Sequence, residues 1–199
     1  GDVQWTTAGR GIIHAEGPSK DFAKKGATLE GIQLWLNLPA EKKMIQPNYQ
    51  HISNDEFNVI SSENQKVNVQ VIAGAFEGKN GKIATQTAVN AFMIYLDEGG
   101  KYNIEIDKGH QSIIYLLKGR VKINNEVDLA LNENQLVEFN MDGSHFSIEG
   151  KSKSQLLFLS GKPLNEKVAS YGPYVMNTQT EIMEAMRDFQ MGKMGFLPS

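Results

Sequence analysis

Short apolar segments, each closed by glycine, asparagine, aspartate or lysine, recur along most of this chain, and that rhythm limits the folds open to it. "VNVQVIAGAF" (Val67–Phe76) alternates Val67, Val69 and Val71 on one side. "AVNAFMIYLDE", "YNIEI", "SIIYLLKGRVKI", "QLVEFN", "HFSIE" and "SQLLFLSG" follow in the same style. Near the start, "IQLWLNL" (Ile32–Leu38) puts Ile32, Leu34, Leu36 and Leu38 on one face at period two. Side chains of a strand alternate between faces, so period two marks a half-buried strand. Many such strands, with turn signals about every 8–12 residues, predict an all-β sandwich or barrel. "EGKNGK" (Glu77–Lys82) reads as a hairpin turned at Asn80-Gly81, where positive φ comes at little cost, and "KINNEVDL" as a second tight turn.

One helix is expected, near the end. In "NTQTEIMEAMRDFQMGKMG", Thr178 and Glu181 have capping-box spacing. Ile182, Ala185, Met186 and Phe189 then form one apolar face, and Gly192 is a plausible stop. Its methionines read as packing rather than as a cofactor site.

Composition removes several function classes. The 199 residues are long enough to bury a core, with 40% hydrophobic and 22% charged side chains. The net charge of -3 gives no general attraction to nucleic acid or an anionic membrane. There is no cysteine, which excludes disulfides, thiolate metal sites and thiol nucleophiles. No run of about 18 apolar residues and no charged-then-apolar leader stand in the chain, so a cytoplasmic protein is expected. The chain opens on Gly1, which points to a fragment or a processed chain.

"PAEKKMIQPNYQHISNDEF" (Pro39–Phe57) is polar, holds two prolines and shows little alternation. It and the following residues read as a connection between domains. The expected division is 1–50 for an incomplete first barrel, 51–66 for the linker, and 67–199 for a complete barrel with the C-terminal helix. The residues before the connection are too few for a barrel of their own.

The chemistry concentrates in "GRGIIHAE" (Gly9–Glu16). In a strand His14 and Glu16 share a face and can both project into a barrel lumen. Imidazole nitrogen with carboxylate oxygen is a donor set preferred by Fe(II), Mn(II) or Zn(II). The plainer reading is a histidine and an acid on the wet face of a strand. His51 lies in the polar connection, and His110 ("DKGHQSI") and His145 ("DGSHFSI") lie in turns leading into strands, none at His-x-His spacing. All three read as ordinary solvated or turn residues. Trp5, Trp35 and Phe22 are candidates to line a pocket near His14, or simply core. Arg10 is a candidate to hold an anion there, or a surface turn residue.

"GDVQWTTAGRGIIHAE" resembles the second conserved motif of the cupin superfamily, and more closely one of its families, the pirins. "GIQLWLNLPAEKKMIQPNYQ" resembles the pirin interdomain segment, "KGHQSIIYLLKGRVKIN" the start of the second, metal-free barrel, and "GPYVMNTQTEIMEAMRDFQMGKMGF" the C-terminal helix and tail. The resemblance covers nearly the whole chain in order. It implies cupin barrels (double-stranded β-helix, jelly-roll-like), one complete and one partial here. It implies a mononuclear Fe(II) site with three histidines and one glutamate, of which His14 and Glu16 would be two. The other two histidines belong to a His-x-His-Arg-Gly-Phe-Glu-like motif upstream, which this sequence lacks. If the natural protein carries that upstream half, a normal site is expected; if it does not, metal is expected to be weak or absent, unless a second chain supplies the missing strands in a swapped homodimer.

The resemblance further implies two roles. One is a quercetin 2,3-dioxygenase acting on a flavonol-like small molecule, with Glu16 as metal ligand and proton acceptor. The other is an iron-dependent regulatory module that binds a protein partner. A third outcome is a truncated chain with no activity.

Overall fold

The structure, a computed structural model, describes residues 1–18, 20–26 and 28–197. Its strands are β1 (Val3–Thr7), β2 (Asn48–Ile52), β3 (Asn58–Ser61), β4 (Val67–Ala73), β5 (Ala75–Phe76), β6 (Lys79–Asn80), β7 (Val89–Leu96) and β8 (Lys101–Glu105). They continue with β9 (Gln111–Lys118), β10 (Arg120–Ile123), β11 (Val127–Ala130), β12 (Leu136–Phe139), β13 (His145–Gly150), β14 (Ser154–Gly161), β15 (Ala169–Tyr171) and β16 (Tyr174–Met176). The α-helices are α1 (Lys20–Lys25) and α2 (Gln179–Gln190).

The chain divides into two compact units, each discontinuous in sequence. Unit 1 joins residues 1–5 to 50–164, and unit 2 joins 6–49 to 165–199. The C-terminal helix thus groups with the early residues rather than with 67–164. The 51–66 segment holds the end of β2 and all of β3, a strand of the main sheet.

Unit 1 is a β-barrel of two antiparallel sheets, ordered β12-β9-β14-β7-β4-β3 and β11-β10-β13-β8. The alternation seen in the sequence fills its interior. Val67, Val69 and Val71 face Phe92, Ile94, Leu116, Ile148 and Phe158 in one buried cluster. Phe158 stacks on Phe92 at 5.4 Å and tilts against Phe146 at 5.5 Å. Gly119 lets the chain step from β9 in one sheet to β10 in the other. Its φ is +85°, and a Cβ there would lie 2.3 Å from the Lys153 carbonyl oxygen, so no other residue fits without strain.

Two turns can be compared with expectation. The β10–β11 hairpin turns at Asn124 and Asn125, with φ of 52° and 57°, as "KINNEVDL" suggested. The β5–β6 hairpin turns at Glu77 and Gly78, with φ of 44° and 75°, and not at Asn80-Gly81. Asn80 pairs with Ala75 inside the ladder, so the pairing register placed the turn three residues earlier than the Asn-Gly signal.

Unit 2 carries the β15–β16 hairpin with α2 lying against it. Thr178 and Glu181 form the expected capping box, and Ile182 is the buried anchor of the helix. Phe189, expected on the same apolar face, is exposed. Lys43 is buried in this unit, donating to Asn37 Oδ1 at 2.6 Å. Burial pulls its ammonium below the usual lysine range, against the opposing charges of Glu166 and Glu181. Glu166 in turn accepts the Ala40 N–H at 2.7 Å, tying residues 37–43 to the C-terminal segment.

Ile32–Leu38 does not form a strand. Ile32, Leu34, Trp35 and Leu36 are all exposed. A lone extended segment gains no ladder hydrogen bonds, so period-two patterning alone does not make a strand.

Candidate functional site

The loop that carries His14 is fixed by backbone geometry. The Gly11 N–H donates to the Ala8 carbonyl at 2.9 Å, and the Arg10 N–H to the Ile45 carbonyl at 2.9 Å. Gly9 sits at φ +51°, where a Cβ would lie 2.2 Å from Ile45 O. Gly11 sits at φ +117°, with Met194 packed where its Cβ would be. The Ile13 N–H then donates to the Met194 carbonyl at 3.2 Å. The glycines of "AGRG" therefore serve a tight turn, and the C-terminal tail holds its far side.

His14 and Glu16 follow directly. They are not on a strand, contrary to the expectation, because residues 11–18 pair with no neighbouring strand. Their side chains nevertheless meet, with His14 Nδ1 3.3 Å from Glu16 Oε1 and both about half exposed (48% and 52%). Two donors about 2.1 Å from one ion, at an angle of about 90–109°, stand about 3.0–3.4 Å apart. The pair thus fits two adjacent positions on a metal. Among the described residues no group of three or more His, Cys, Asp or Glu side chains converges.

The other candidates go elsewhere. Trp5 packs in unit 1 on a cluster with Phe57, Ile72 and Ile83, and Trp35 is 63% exposed. Phe22 is half-buried in α1, and Arg10 is exposed. The groove beside the site, about 360 Å³, is lined by Ile13, Phe189, Met191 and Phe196, and by none of the aromatics chosen from sequence. Its walls come from the C-terminal tail, about 180 residues away in sequence. His51 faces Asp2 at 3.7 Å, and His145 is exposed beside Ser144.

His110 is less ordinary than its turn position suggested. Its side chain is 10% exposed, with Nδ1 3.3 Å from Ser160 Oγ and 3.8 Å from Asp107 Oδ2. Asn90 Nδ2 donates to both Asp107 and Ser160, at 2.7 and 3.1 Å. Serine and aspartate approach the same ring nitrogen. A nucleophile–base–carboxylate relay needs them on opposite nitrogens, so this cluster is a polar cap on the barrel end and not a triad. Nothing in the local sequence "DKGHQSI" announces it, because Asn90 and Ser160 arrive from β7 and β14.

Residues 91–195 match the family described as "Pirin C-terminal cupin domain", and residues 1–36 match "Pirin". The pirin of Homo sapiens is 37% identical over 198 residues, covering 98% of this chain and 66% of that protein. A pirin-like protein of Solanum lycopersicum is 35% identical over 198 residues, covering 98% and 65%. The crystal structure of a quercetin 2,3-dioxygenase from Acinetobacter baumannii superposes with a TM-score of 0.92 at 38% identity, covering 98% of this chain and 67% of that one. The chain therefore spans about two thirds of the length of the curated relatives it matches.

Proposed function

The chain belongs to the pirin family of cupin proteins, and on that premise we propose that it carries part of a metal-dependent dioxygenase site of the quercetin 2,3-dioxygenase type, with His14 and Glu16 as metal ligands. The observation that carries the reading is the 3.3 Å approach of His14 Nδ1 to Glu16 Oε1, on a loop that two glycines and the C-terminal tail hold in place. The metal assigned is Fe(II), for which a nitrogen and oxygen donor set is suited. An iron ion there supplies open coordination positions and a redox centre for a flavonol and dioxygen.

The residues of this chain do the rest. His14 would contribute a nitrogen donor. Glu16 would contribute one carboxylate oxygen, and its other oxygen would accept the proton of a substrate hydroxyl. The apolar groove beside Ile13 offers Phe189 and Phe196 to a flat aromatic ring. Further ligands would come from a segment outside this sequence or from a second chain.

A second reading, an iron-dependent module that binds a protein partner without catalysis, draws on one feature. The pair is half exposed at a shallow surface, where a change of metal charge would be felt by a docked protein.

The test is elemental analysis after incubation with Fe(II) without oxygen. The expected result is weak iron binding that falls to background in His14→Ala. Iron retained equally by His14→Ala would remove this loop from the site. Loss of flavonol absorbance on admitting oxygen to the loaded protein separates the enzyme from the binding module.

A further inference from the structure

Met194, in the tail beyond α2, holds the His14 loop in two ways. Its carbonyl accepts the Ile13 N–H at 3.2 Å. Its side chain fills the space beside Gly11, where a Cβ would lie 2.6 Å from Met194 Cγ and Sδ and 2.7 Å from Cε. The thioether therefore lies against bare backbone, three residues before His14.

The tail is fixed to the helix just ahead of that contact. The Lys193 N–H donates to the Asp188 carbonyl at 3.0 Å, and Lys193 Nζ donates to Asp188 Oδ1 at 2.7 Å. Gly192 and Gly195, at φ +71° and +91°, turn the chain on either side. Met194 is thus presented to the loop from a firm base, by a turn that two glycines permit.

The chemistry of the side chain gives this contact a meaning beyond packing. The chain has no cysteine, so its eight methionines carry all of its sulfur. A thioether suits a flat contact because it is unbranched and polarizable, and it is the group that a two-electron oxidant converts to a polar sulfoxide. Met44, Met141, Met183 and Met191 are 49–63% exposed, and a sulfoxide on any of them faces water. Met194 is partly buried, within reach of a small oxidant yet packed on the loop. A sulfoxide there is bulkier than the thioether and seeks a hydrogen-bond donor, which favours the side chain leaving Gly11 for water.

We propose that Met194 is a redox-controlled clasp on the His14–Glu16 loop, opened by hydrogen peroxide. A sulfur lone pair attacks one peroxide oxygen, and the O–O bond breaks as the S–O bond forms. The oxygen that stays on sulfur passes its proton to the departing hydroxide, giving water. Sulfur is oxidised by two electrons and the peroxide is reduced. The tail end then lifts from Gly11, the Ile13 N–H loses its acceptor, and the pair loses its support. Lower metal retention follows; that consequence rests on the metal reading of the pair, whereas the loosening of the loop does not. A methionine sulfoxide reductase closes the clasp again.

The test uses the intact chain treated with hydrogen peroxide in the presence of a chelator, with the sulfoxide at Met194 verified by peptide mass mapping. Amide exchange at Ile13 should accelerate about fivefold or more, as loss of one hydrogen bond of ordinary net strength gives. Exchange at Phe92 and Ile114 should not change, and sulfoxide reductase should restore the Ile13 rate. Met194→Leu keeps apolar bulk but cannot be oxidised there; peroxide should leave its Ile13 rate as it was, although its exposed methionines still react. Untreated Met194→Gln, with a polar group of similar length, should show the fast rate. Iron retained after loading with Fe(II) without oxygen should fall in the oxidised protein and not in oxidised Met194→Leu. An Ile13 rate unchanged by verified oxidation of Met194, or raised equally by peroxide in Met194→Leu, overturns the proposal. Iron retained equally by both forms while Ile13 accelerates overturns the link from clasp to site. If the untreated protein holds no iron, the metal reading falls and the Ile13 rates still decide the clasp.

Discussion

Gly11→Ala perturbs the His14 loop through two effects that can be separated. The first is backbone strain: at φ +117°, an L-residue other than glycine costs about 1–3 kcal/mol. The second is crowding: the new Cβ would lie 2.6 Å from Met194 Cγ and Sδ, so the methionine must move. Displacing it weakens the 3.2 Å bond from the Ile13 N–H to the Met194 carbonyl, a further loss of about 1 kcal/mol. The expected total is about 2–4 kcal/mol, which for a chain of this length lowers the melting midpoint by roughly 4–16 °C. Met194→Ala in the same background removes the crowding and leaves the strain. The double variant should therefore recover about 1 kcal/mol relative to the sum of the single changes. Amide exchange at Ile13 should accelerate in Gly11→Ala, while exchange at Phe92 and Ile114 in the barrel core should not. Gly11→Ala within about 0.5 kcal/mol of the wild type, with unchanged exchange at Ile13, would refute the role given to the tail.

Phe158→Ala should destabilise by about 3–5 kcal/mol in urea unfolding, because the ring is fully buried between Phe92 and Phe146, whereas Phe189→Ala should stay within about 0.5 kcal/mol. Thr178→Ala should cost about 1 kcal/mol by removing the cap. The Thr178 hydroxyl also donates to Glu181 Oε2 at 2.9 Å, the main reason the Glu181 carboxyl lies below its ordinary value, so the wild type should lose the Glu181 contribution as pH falls below the usual glutamate range, and Thr178→Ala should lose less. Burial, followed by the 2.7 Å hydrogen bond to Glu77 and its negative charge, pushes the Tyr102 hydroxyl up to about 12. Its contribution to stability is present below the ordinary tyrosine value and lost as pH rises toward about 12; phenolate absorbance should show a late-titrating component, part of which shifts earlier in Glu77→Gln.

The sequence by itself determined the class of fold and the identity of the pair. Alternation at period two is a local property, and it located β4, β7, β9, β13 and β14 because each such segment has one face to bury. The cap at Thr178 was legible for the same reason: both of its partners lie within four residues. His14 and Glu16 could be named together because they are two apart and follow a glycine turn.

What only the tertiary structure decided depends on residues far apart in the chain. β14 lies between β7 and β9, and that placement assembles the Asn90–Ser160–His110 cap. The tail at Met194 closes on Gly11. Ile32–Leu38 shows the converse. Its pattern is as clear as that of β4, yet it stays unpaired, because a strand is stabilised by the neighbour that accepts its hydrogen bonds and covers its apolar face. Pattern states what a segment can bury, and only the assembled sheet supplies the surface to bury it against.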